Sequence, residues 1–317
     1  MKRVFIFLLC LLSLRTVTCV AQKKMTVAAD GSGNYKTVQQ AFDVVAANNK
    51  RPVTIFVRNG IYKEKLHLDS GKRNVTLQGE GKFNTIITYD DHTGKISPGG
   101  DTISTYTSQS FLMRADHFTA KDITFQNDAG YSAGQAVAIQ ITGDEAAFIN
   151  CRFIGNQDVL FPSKPATRQY FERCYIEGTT DFIFGPSVAW FEQCHIHSKK
   201  NSHVTAASTP KDQEFGYVFN DCILTGDTIL HSVSLGRPWR PFANVVYIHC
   251  YIDTHIMSQG WSNWNNTENY KTARYAEYNN YGPGAQPALR ASWAKQLSDE
   301  EVKKYSLKNV LKGWKVY

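Results

Sequence analysis

A short pattern of polar, apolar, variable and apolar positions recurs along the chain. In five copies a cysteine fills the first apolar position, and the copies begin at Asn150-Cys151, Arg173-Cys174, Gln193-Cys194, Asp221-Cys222 and His249-Cys250. Apolar residues at every second position predict short β-strands. From Ile123, which occupies the same position one copy earlier, to Cys250 the steps are 28, 23, 20, 28 and 28 residues.

Strand repeats of about 20–30 residues that cannot bury a face alone are typical of a solenoid. Because no helical pattern separates these strands, we predict a parallel β-helix in which like residues stack from coil to coil. The cysteines then form an interior ladder of reduced thiols. We also place Asn74-Val75-Thr76-Leu77 in this frame, 48 residues before Ile123. An antiparallel sandwich is the alternative, but Asn59-Gly60 is its one hairpin signal.

The two ends of the pattern differ from its middle. The pattern over residues 37–48 predicts a helix with a capping box of Thr37 and Gln40. The pattern over residues 298–305 predicts a second helix with a capping box of Ser298 and Glu301. We expect these helices to cap the two ends of the coil. Residues 253–297 are rich in Trp, Tyr, Asn, Gly and Pro, and they predict a loop-rich flank.

The first residues carry the features of a secretory signal peptide. A basic start, an apolar run over residues 4–14 and the small-residue exit Cys19-Val20-Ala21 predict a leader at 1–21 and one domain at 22–317. The run is too short for a convincing membrane span, and no other stretch approaches spanning length. We therefore expect a protein that is secreted or periplasmic, with a lipid anchor at Cys19 as the alternative.

Composition narrows the class of protein. Of 317 residues, 42% are hydrophobic and 13% aromatic, which excludes a disordered or collagen-like chain. The net charge is +7, and it falls to +4 without the leader, which contains Lys2, Arg3 and Arg15. This balance suits a polyanionic partner, but there is no basic arm for nucleic acid. Five remaining cysteines, an odd number without close pairs, favour neither a disulfide framework nor a zinc site.

Two aspartates occupy equivalent positions in consecutive repeats. Asp158 lies seven residues after Cys151, and Asp181 lies seven residues after Cys174. If the coils keep register, the carboxyl groups lie about 5 Å apart, the spacing of paired strands. Two charges at that distance repel by roughly 3 kcal/mol at an effective dielectric constant near 20. One group should therefore hold a proton while the other acts as a nucleophile or base. The alternative is a pair of solvated turn residues.

Five ordered sequence blocks closely resemble the signature blocks of the pectin methylesterases. The blocks are Gly60-Ile61-Tyr62-Lys63-Glu64, Gln135-Ala136-Val137-Ala138-Ile139, Gly155-Asn156-Gln157-Asp158-Val159-Leu160, Asp181-Phe182-Ile183-Phe184-Gly185 and Leu235-Gly236-Arg237-Pro238-Trp239. The resemblance covers nearly the whole chain after the leader. It implies an all-β fold, a single-stranded right-handed parallel β-helix.

The resemblance also implies a role for each residue at a matching position. Asp181 would attack the methyl ester carbonyl of galacturonate and form an acyl-enzyme. Asp158 would protonate the leaving methanol and then activate water. Gln135 and Gln157 would donate hydrogen bonds to the oxyanion, and Arg237 would hold Asp181 ionised and oriented.

The substrate implied by the resemblance is methyl-esterified homogalacturonan, the main polymer of pectin, or its oligomers. Trp239 and Phe184 would pack against the sugar, and Thr105 is a weaker substrate-binding candidate. We expect a pectinesterase that works as a monomer without a metal or another cofactor.

Other interpretations of single motifs remain. Ser132, in Gly130-Tyr131-Ser132-Ala133-Gly134, fits a serine-esterase motif, but that motif needs a strand-to-helix turn. His195 and His197 share a strand face and could bind a metal, although no third ligand recurs nearby. A polygalacturonase-like glycosidase, a pectate lyase or a non-catalytic carbohydrate-binding solenoid are the rival functions, and their products distinguish them.

Overall fold

The computed structural model describes residues 23–227 and 231–316, so the predicted leader at 1–21 and Cys19 lie outside the described residues. The strands, in chain order, are β1 Lys23–Val27, β2 Val53–Val57, β3 Gly60–Lys63, β4 Leu66–Leu68, β5 Val75–Gly79, β6 Thr85–Tyr89, β7 Phe111–Met113, β8 Thr119–Lys121, β9 Thr124–Asn127, β10 Ile139–Ile141, β11 Ala146–Ile149, β12 Arg152–Ile154, β13 Leu160–Pro162, β14 Arg168–Glu172, β15 Tyr175–Gly178, β16 Ile183–Gly185, β17 Val188–Glu192, β18 His195–Ser198, β19 His203–Ala207, β20 Tyr217–Asn220, β21 Ile223–Gly226, β22 Ser234–Gly236, β23 Asn244–Ile248, β24 Tyr251–Ile252, β25 Arg274–Tyr278 and β26 Lys295–Gln296.

These strands form three parallel sheets. Sheet A has the order β1-β2-β5-β8-β11-β14-β17-β20-β23-β25-β26, sheet B runs from β3 through β6, β9, β12, β15, β18 and β21 to β24, and sheet C from β4 through β7, β10, β13, β16 and β19 to β22. From β2 to β22 the chain passes through A, B and C in turn, and each strand pairs with its equivalent in the next coil. The predicted right-handed parallel β-helix is therefore confirmed, and the antiparallel sandwich is excluded.

The cysteine ladder lies at the corner between sheets A and B. All five cysteines are free and buried, and each follows a residue with left-handed backbone, with φ between 50° and 53°. That residue turns the chain from one sheet into the next, so the thiol that follows points into the coil. Burial raises the pKa of the Cys222 thiol well above its ordinary value. The predicted interior ladder is confirmed.

One earlier segment does not belong to this ladder. Val75 begins β5 of sheet A and pairs with Val53, whereas Ile123 lies just before β9 of sheet B. The prediction that Val75 occupies the cysteine position of the repeat was therefore wrong. Alternating apolar and polar residues indicate a strand, but they do not indicate which sheet that strand joins.

Aromatic side chains stack inside sheet A from coil to coil. Ring centroids are 5.0 Å apart for Phe148 and Phe171, 4.7 Å for Phe171 and Phe191, and 4.4 Å for Phe191 and Phe219, with interplanar angles of 8–9°. Stacking at nearly the strand spacing fixes each coil laterally over its neighbour. This holds the coils in the register on which the site depends.

The helices are α1 Val38–Asp43, α2 Asp299–Val302 and α3 Leu307–Val310, with 3-10 turns at Thr105–Thr107, Asn269–Lys271, Pro287–Leu289 and Lys303–Tyr305. Both predicted capping boxes are present. Helix α1 closes the first end of the coil, with Phe42 stacked 5.6 Å from Phe111. The helix ends at Asp43 and not, as the sequence predicted, at residue 48. At its end, the Nζ of Lys72 donates hydrogen bonds to the backbone carbonyls of Phe42 and Asp43.

The C-terminal segment lies elsewhere than expected. Val310 and Leu311 pack with Trp190 and Val246 on the outer face of sheet A, not over the end of the coil. That end is instead closed by aromatic side chains of the loop-rich flank, among them Trp261 and Trp293. Within the described ranges, no helix is long and apolar enough to cross a membrane.

Candidate active site

Asp158 and Asp181 lie at the corner between sheets B and C in consecutive coils. The backbone N–H of Asp158 donates to the carbonyl of Thr180 at 3.1 Å, and Leu160 pairs with Ile183 two residues further on. Both aspartates have left-handed backbone, with φ of 64° and 50°. This conformation is uncommon for residues other than glycine, and aspartate tolerates it better than most. The two residues are thus stacked in register, about one strand spacing of 4.8 Å apart.

Arg237 binds one of the two carboxylates. It follows β22, and its Nε and Nη2 donate to Oδ1 and Oδ2 of Asp181 at 3.0 and 2.7 Å. Two parallel charge-assisted bonds fix both the position and the orientation of the carboxylate. Just before Arg237, β22 lies tightly against β19 at Gly236, where a Cβ would lie 2.0 Å from Oγ1 of Thr205.

The environment gives the two carboxyl groups different affinities for a proton. Burial raises the pKa of Asp158 well above its ordinary value, the charge of Asp181 raises it further, and Arg237 lowers it in part. Burial also raises the pKa of Asp181, but the hydrogen bonds and charge of Arg237 oppose that effect. Asp181 therefore ionises first, and Asp158 retains its proton.

His203 lies beside Asp181 and Arg237 without adding a positive charge. The backbone carbonyl of His203 accepts from the N–H of Asp181 at 2.8 Å, and its Nδ1 lies 2.7 Å from Oγ of Ser234. Burial and the nearby charge of Arg237 lower the pKa of His203 to about 4. The ring is therefore neutral near pH 7 and adds no second cation beside Arg237.

The two predicted glutamines also align. Gln135 and Gln157 form a parallel bridge between consecutive coils, and both border the same cavity as the aspartates. The segment from Gln135 to β10 is one residue longer than the segment from Gln157 to β13. The extra residue shows in the hydrogen bonds, because the N–H groups of Ala138 and Ile139 both donate to the carbonyl of Val159. This local bulge absorbs the extra residue and leaves the glutamines in register.

A cavity of about 250 Å³ opens over sheet C at this corner. All eight predicted site residues border it, and sequence reasoning missed three more, Tyr106, Ala206 and Trp264. Trp264 lies 4.1 Å from the Arg237 guanidinium and 6.5 Å from Trp239, so it covers one face of the cation. Its only sequence signal was its place in the aromatic-rich flank, which does not indicate where that flank folds.

The other candidates lie apart from this cavity. Ser132 is exposed in a loop between two strands, without the strand-to-helix turn that a serine nucleophile requires. His195 and His197 point outward from sheet B and share the hydroxyl of Thr225, at 2.7 and 2.8 Å. Over residues 23–227 and 231–316, no group of three His, Cys, Asp or Glu side chains is arranged to hold a metal ion.

The arrangement can therefore perform acyl chemistry with its own side chains. It offers one carboxylate held ionised, one carboxyl that keeps its proton, and two amides beside them. An ionised, partly desolvated carboxylate can act as a nucleophile, and a neighbouring acid can protonate the group that leaves.

Comparison with known proteins indicates the family of the chain. A family model described as Pectinesterase matches residues 24–314. Pectinesterase 31 of Arabidopsis thaliana is 39% identical over 284 residues, which cover 88% of this chain and 89% of that protein. The chain spans about half the length of several other curated relatives, which are named pectinesterase/pectinesterase inhibitor.

Solved structures show the same architecture. Pectin methylesterase from carrot is 32% identical and superposes with a TM-score of 0.83, covering 93% of this chain and 94% of that chain. A pectin methylesterase solved in complex with a hexasaccharide is 25% identical, with a TM-score of 0.83 over 94% of this chain and 99% of that chain. Fold and site together define a carboxylic ester hydrolase built on a parallel β-helix. The chain belongs to the pectinesterase family.

The raised pKa of Asp158 makes a prediction about stability. This carboxyl group binds its proton more tightly in the folded state than in the unfolded state. The free energy of unfolding of the protein therefore falls as the pH rises from the ordinary pKa of 3.8 through the raised pKa. Asn cannot ionise, so Asp158→Asn should match the wild type near pH 3.5 and exceed it in the urea midpoint at pH 7. Asp212→Asn, on an exposed residue, is the control. A variant less stable than the wild type at pH 7 would contradict the assignment.

Proposed function

We propose that this protein hydrolyses the methyl esters of pectin to methanol and free carboxylate through an acyl-enzyme on Asp181. The observation that carries the proposal is the pair of in-register carboxyl groups, of which Arg237 binds one alone. Membership of the pectinesterase family and the names of its relatives support the reaction class. The hexasaccharide complex of a related enzyme supports a carbohydrate substrate.

In the first half of the reaction an oxygen of the Asp181 carboxylate attacks the ester carbonyl carbon at C6. The carbonyl oxygen becomes an oxyanion, to which the side-chain amides of Gln135 and Gln157 donate. When the tetrahedral intermediate collapses, the C–O bond to the methoxy group breaks. Asp158 transfers its proton to the departing oxygen, so methanol leaves and a mixed anhydride remains on Asp181. The raised pKa of Asp158 suits this step, because the acid must still hold its proton.

In the second half the roles of acid and base are reversed. Asp158, now a carboxylate, takes a proton from a water molecule whose oxygen attacks the galacturonyl carbonyl. The anhydride bond breaks, which restores the Asp181 carboxylate and releases a galacturonic acid unit. Arg237 stabilises the returning charge with the two hydrogen bonds that it makes in the free protein.

The aromatic wall of the cavity supplies the surface for the sugar. Trp239 lies 6.1 Å from Phe184, between ring centroids, and Phe184 stacks on Phe161 at 4.1 Å. Phe184 is almost fully buried, so it supports Trp239 more than it offers its own face. Thr105 stands at the cavity edge, where its hydroxyl is 3.1 Å from that of Thr93.

Export fits this substrate, which is a cell-wall polymer outside the cytoplasm. The predicted leader at 1–21 would deliver the protein to the exterior or the periplasm, and the domain at 22–317 would act there as a monomer. The lipid anchor at Cys19 remains the alternative to free release.

Asp181→Asn tests the proposed nucleophile. The amide keeps the size of the side chain but cannot attack a carbonyl, so methanol release from methylated pectin should fall at least about 10³-fold. Circular dichroism should show an intact fold. Ser132→Ala, the control for a serine nucleophile, should keep wild-type activity. Full methanol release by Asp181→Asn would refute the mechanism, and formation of reducing ends or unsaturated products would indicate a glycosidase or a lyase instead.

Gln157→Ala tests the proposed oxyanion donors. An amide that binds only the developing oxyanion lowers the barrier to reaction, so its loss should reduce kcat on the order of 10²-fold with a much smaller change in KM. Gln135→Ala should behave alike. Gln140→Ala is the matched control, because Gln140 lies in β10, five residues after Gln135, and donates to Ser163 instead. An effect on KM alone would assign the glutamines to substrate binding.

A further inference from the structure

A second concave surface lies on the outer face of sheet B, on the same coils as the active site. We call it the Arg152 groove, and it is formed mainly by Lys82, Phe83, Arg152, Arg173, Tyr175 and His195 around a cavity of about 440 Å³. Arg152, Tyr175 and His195 are register partners in three consecutive strands and face outward. Arg152 and Tyr175 precede the catalytic aspartates of their own coils by six residues.

The groove combines cations with exposed aromatic surface. The Arg152 guanidinium lies 5.0 Å from the centroid of the Phe83 ring and 5.7 Å from that of Tyr175, so it is held between two rings. Phe83 is 64% exposed, although it is large and apolar. Lys82 stands on the same ring at 5.4 Å. The rings flank the guanidinium, which is part-buried and borders the cavity.

The two central cations have neutral partners. Lys82 donates to the side-chain carbonyl of Asn150 at 2.6 Å, and Arg152 contacts the hydroxyl of Thr124 at 3.4 Å. Neither forms an ion pair with a carboxylate among the described residues. Asp122, next along this chain of bonds, already accepts from Asn150 and Gln78.

Other cations on the same face are neutralised. Arg173 is paired with Glu172, and Lys199 with Glu177 at 3.2 Å. The excess positive charge is therefore concentrated where the aromatic rings are. A ligand that complements the groove needs an anionic group for the guanidinium and an apolar face for the rings.

The active site has the opposite preference. Its ionisable side chains are Asp158, which retains its proton, and the ion pair of Asp181 and Arg237, so its cation is already engaged. An uncharged methyl ester can enter there, but a carboxylate meets two carboxyl groups and no available cation. If the proposed function holds, each turnover converts a neutral unit into an anionic unit that the cavity disfavours.

We propose that the Arg152 groove is a binding site for the de-esterified product, a run of galacturonate units. This proposal rests on the proposed function for the identity of the anion. Arg152 and Lys82 bind sugar carboxylates, and the C–H face of a sugar ring packs on Phe83. The groove thereby retains the polymer on the protein after its esters have been cleaved.

The test measures binding of an unesterified oligogalacturonate by titration calorimetry at low salt. Lys82→Gln/Arg152→Gln should weaken binding about tenfold or more, as expected for loss of charge-assisted hydrogen bonds. The control is Arg73→Gln/Lys303→Gln, which removes the same charge from exposed ion pairs elsewhere. Phe83→Ala keeps all charges and truncates an exposed side chain, so it should fold normally and weaken binding a few-fold.

The outcomes are distinct. Unchanged binding in Lys82→Gln/Arg152→Gln and Phe83→Ala would overturn the proposal, and so would an equal loss in the control, which would show attraction by net charge alone. Methanol release from a short methylated oligomer should stay at the wild-type rate in all these variants, and a matching loss of turnover would place the residues in the catalytic cavity. Absence of methanol release from the wild type would refute the proposed function, while the binding measurement stands by itself.

Discussion

The chemistry of this protein depends on the register between consecutive coils. Backbone hydrogen bonds hold adjacent strands about 4.8 Å apart, so a residue at the same place in two coils meets its equivalent. A slip of one residue would turn every side chain of a strand to the opposite face. It would separate Asp158 from Asp181 and move the latter away from Arg237. The interior stacks of thiols and aromatic rings hold that register, because each fits only over its equivalent.

Burial and charge then make two like residues different. The low-polarity corner disfavours ionisation of both aspartates, and Arg237 relieves that penalty for Asp181 alone. The same distribution of charge suits a neutral ester better than a carboxylate. Lys82 and Arg152, which form no ion pair among the described residues, lie on a different face of the same coils. On our proposal, the neutral ester and the anionic product bind at these two separate sites.

Much of this could be predicted from the sequence, because a solenoid converts spacing along the chain into position in space. Equal intervals from Cys151 to Asp158 and from Cys174 to Asp181 sufficed to stack the aspartates. Outside the repeat, spacing along the chain does not predict position in space. Trp264 reaches the active site from the loop-rich flank, and Val310 packs on sheet A instead of over the end of the coil. Only tertiary contacts decide such positions. The bidentate geometry of Arg237 was likewise beyond the pattern, since it depends on the rotamer of a long side chain.

The most direct test of the central claim is to trap the covalent intermediate. In Asp158→Asn, an oligogalacturonide ester with a phenolic leaving group needs no acid for the first step, whereas hydrolysis of the anhydride lacks its base. Rapid quenching and peptide mass spectrometry should then find the galacturonyl group on the peptide that contains Asp181. Release of the phenol at full turnover with no adduct, or an adduct on another residue, would contradict the account.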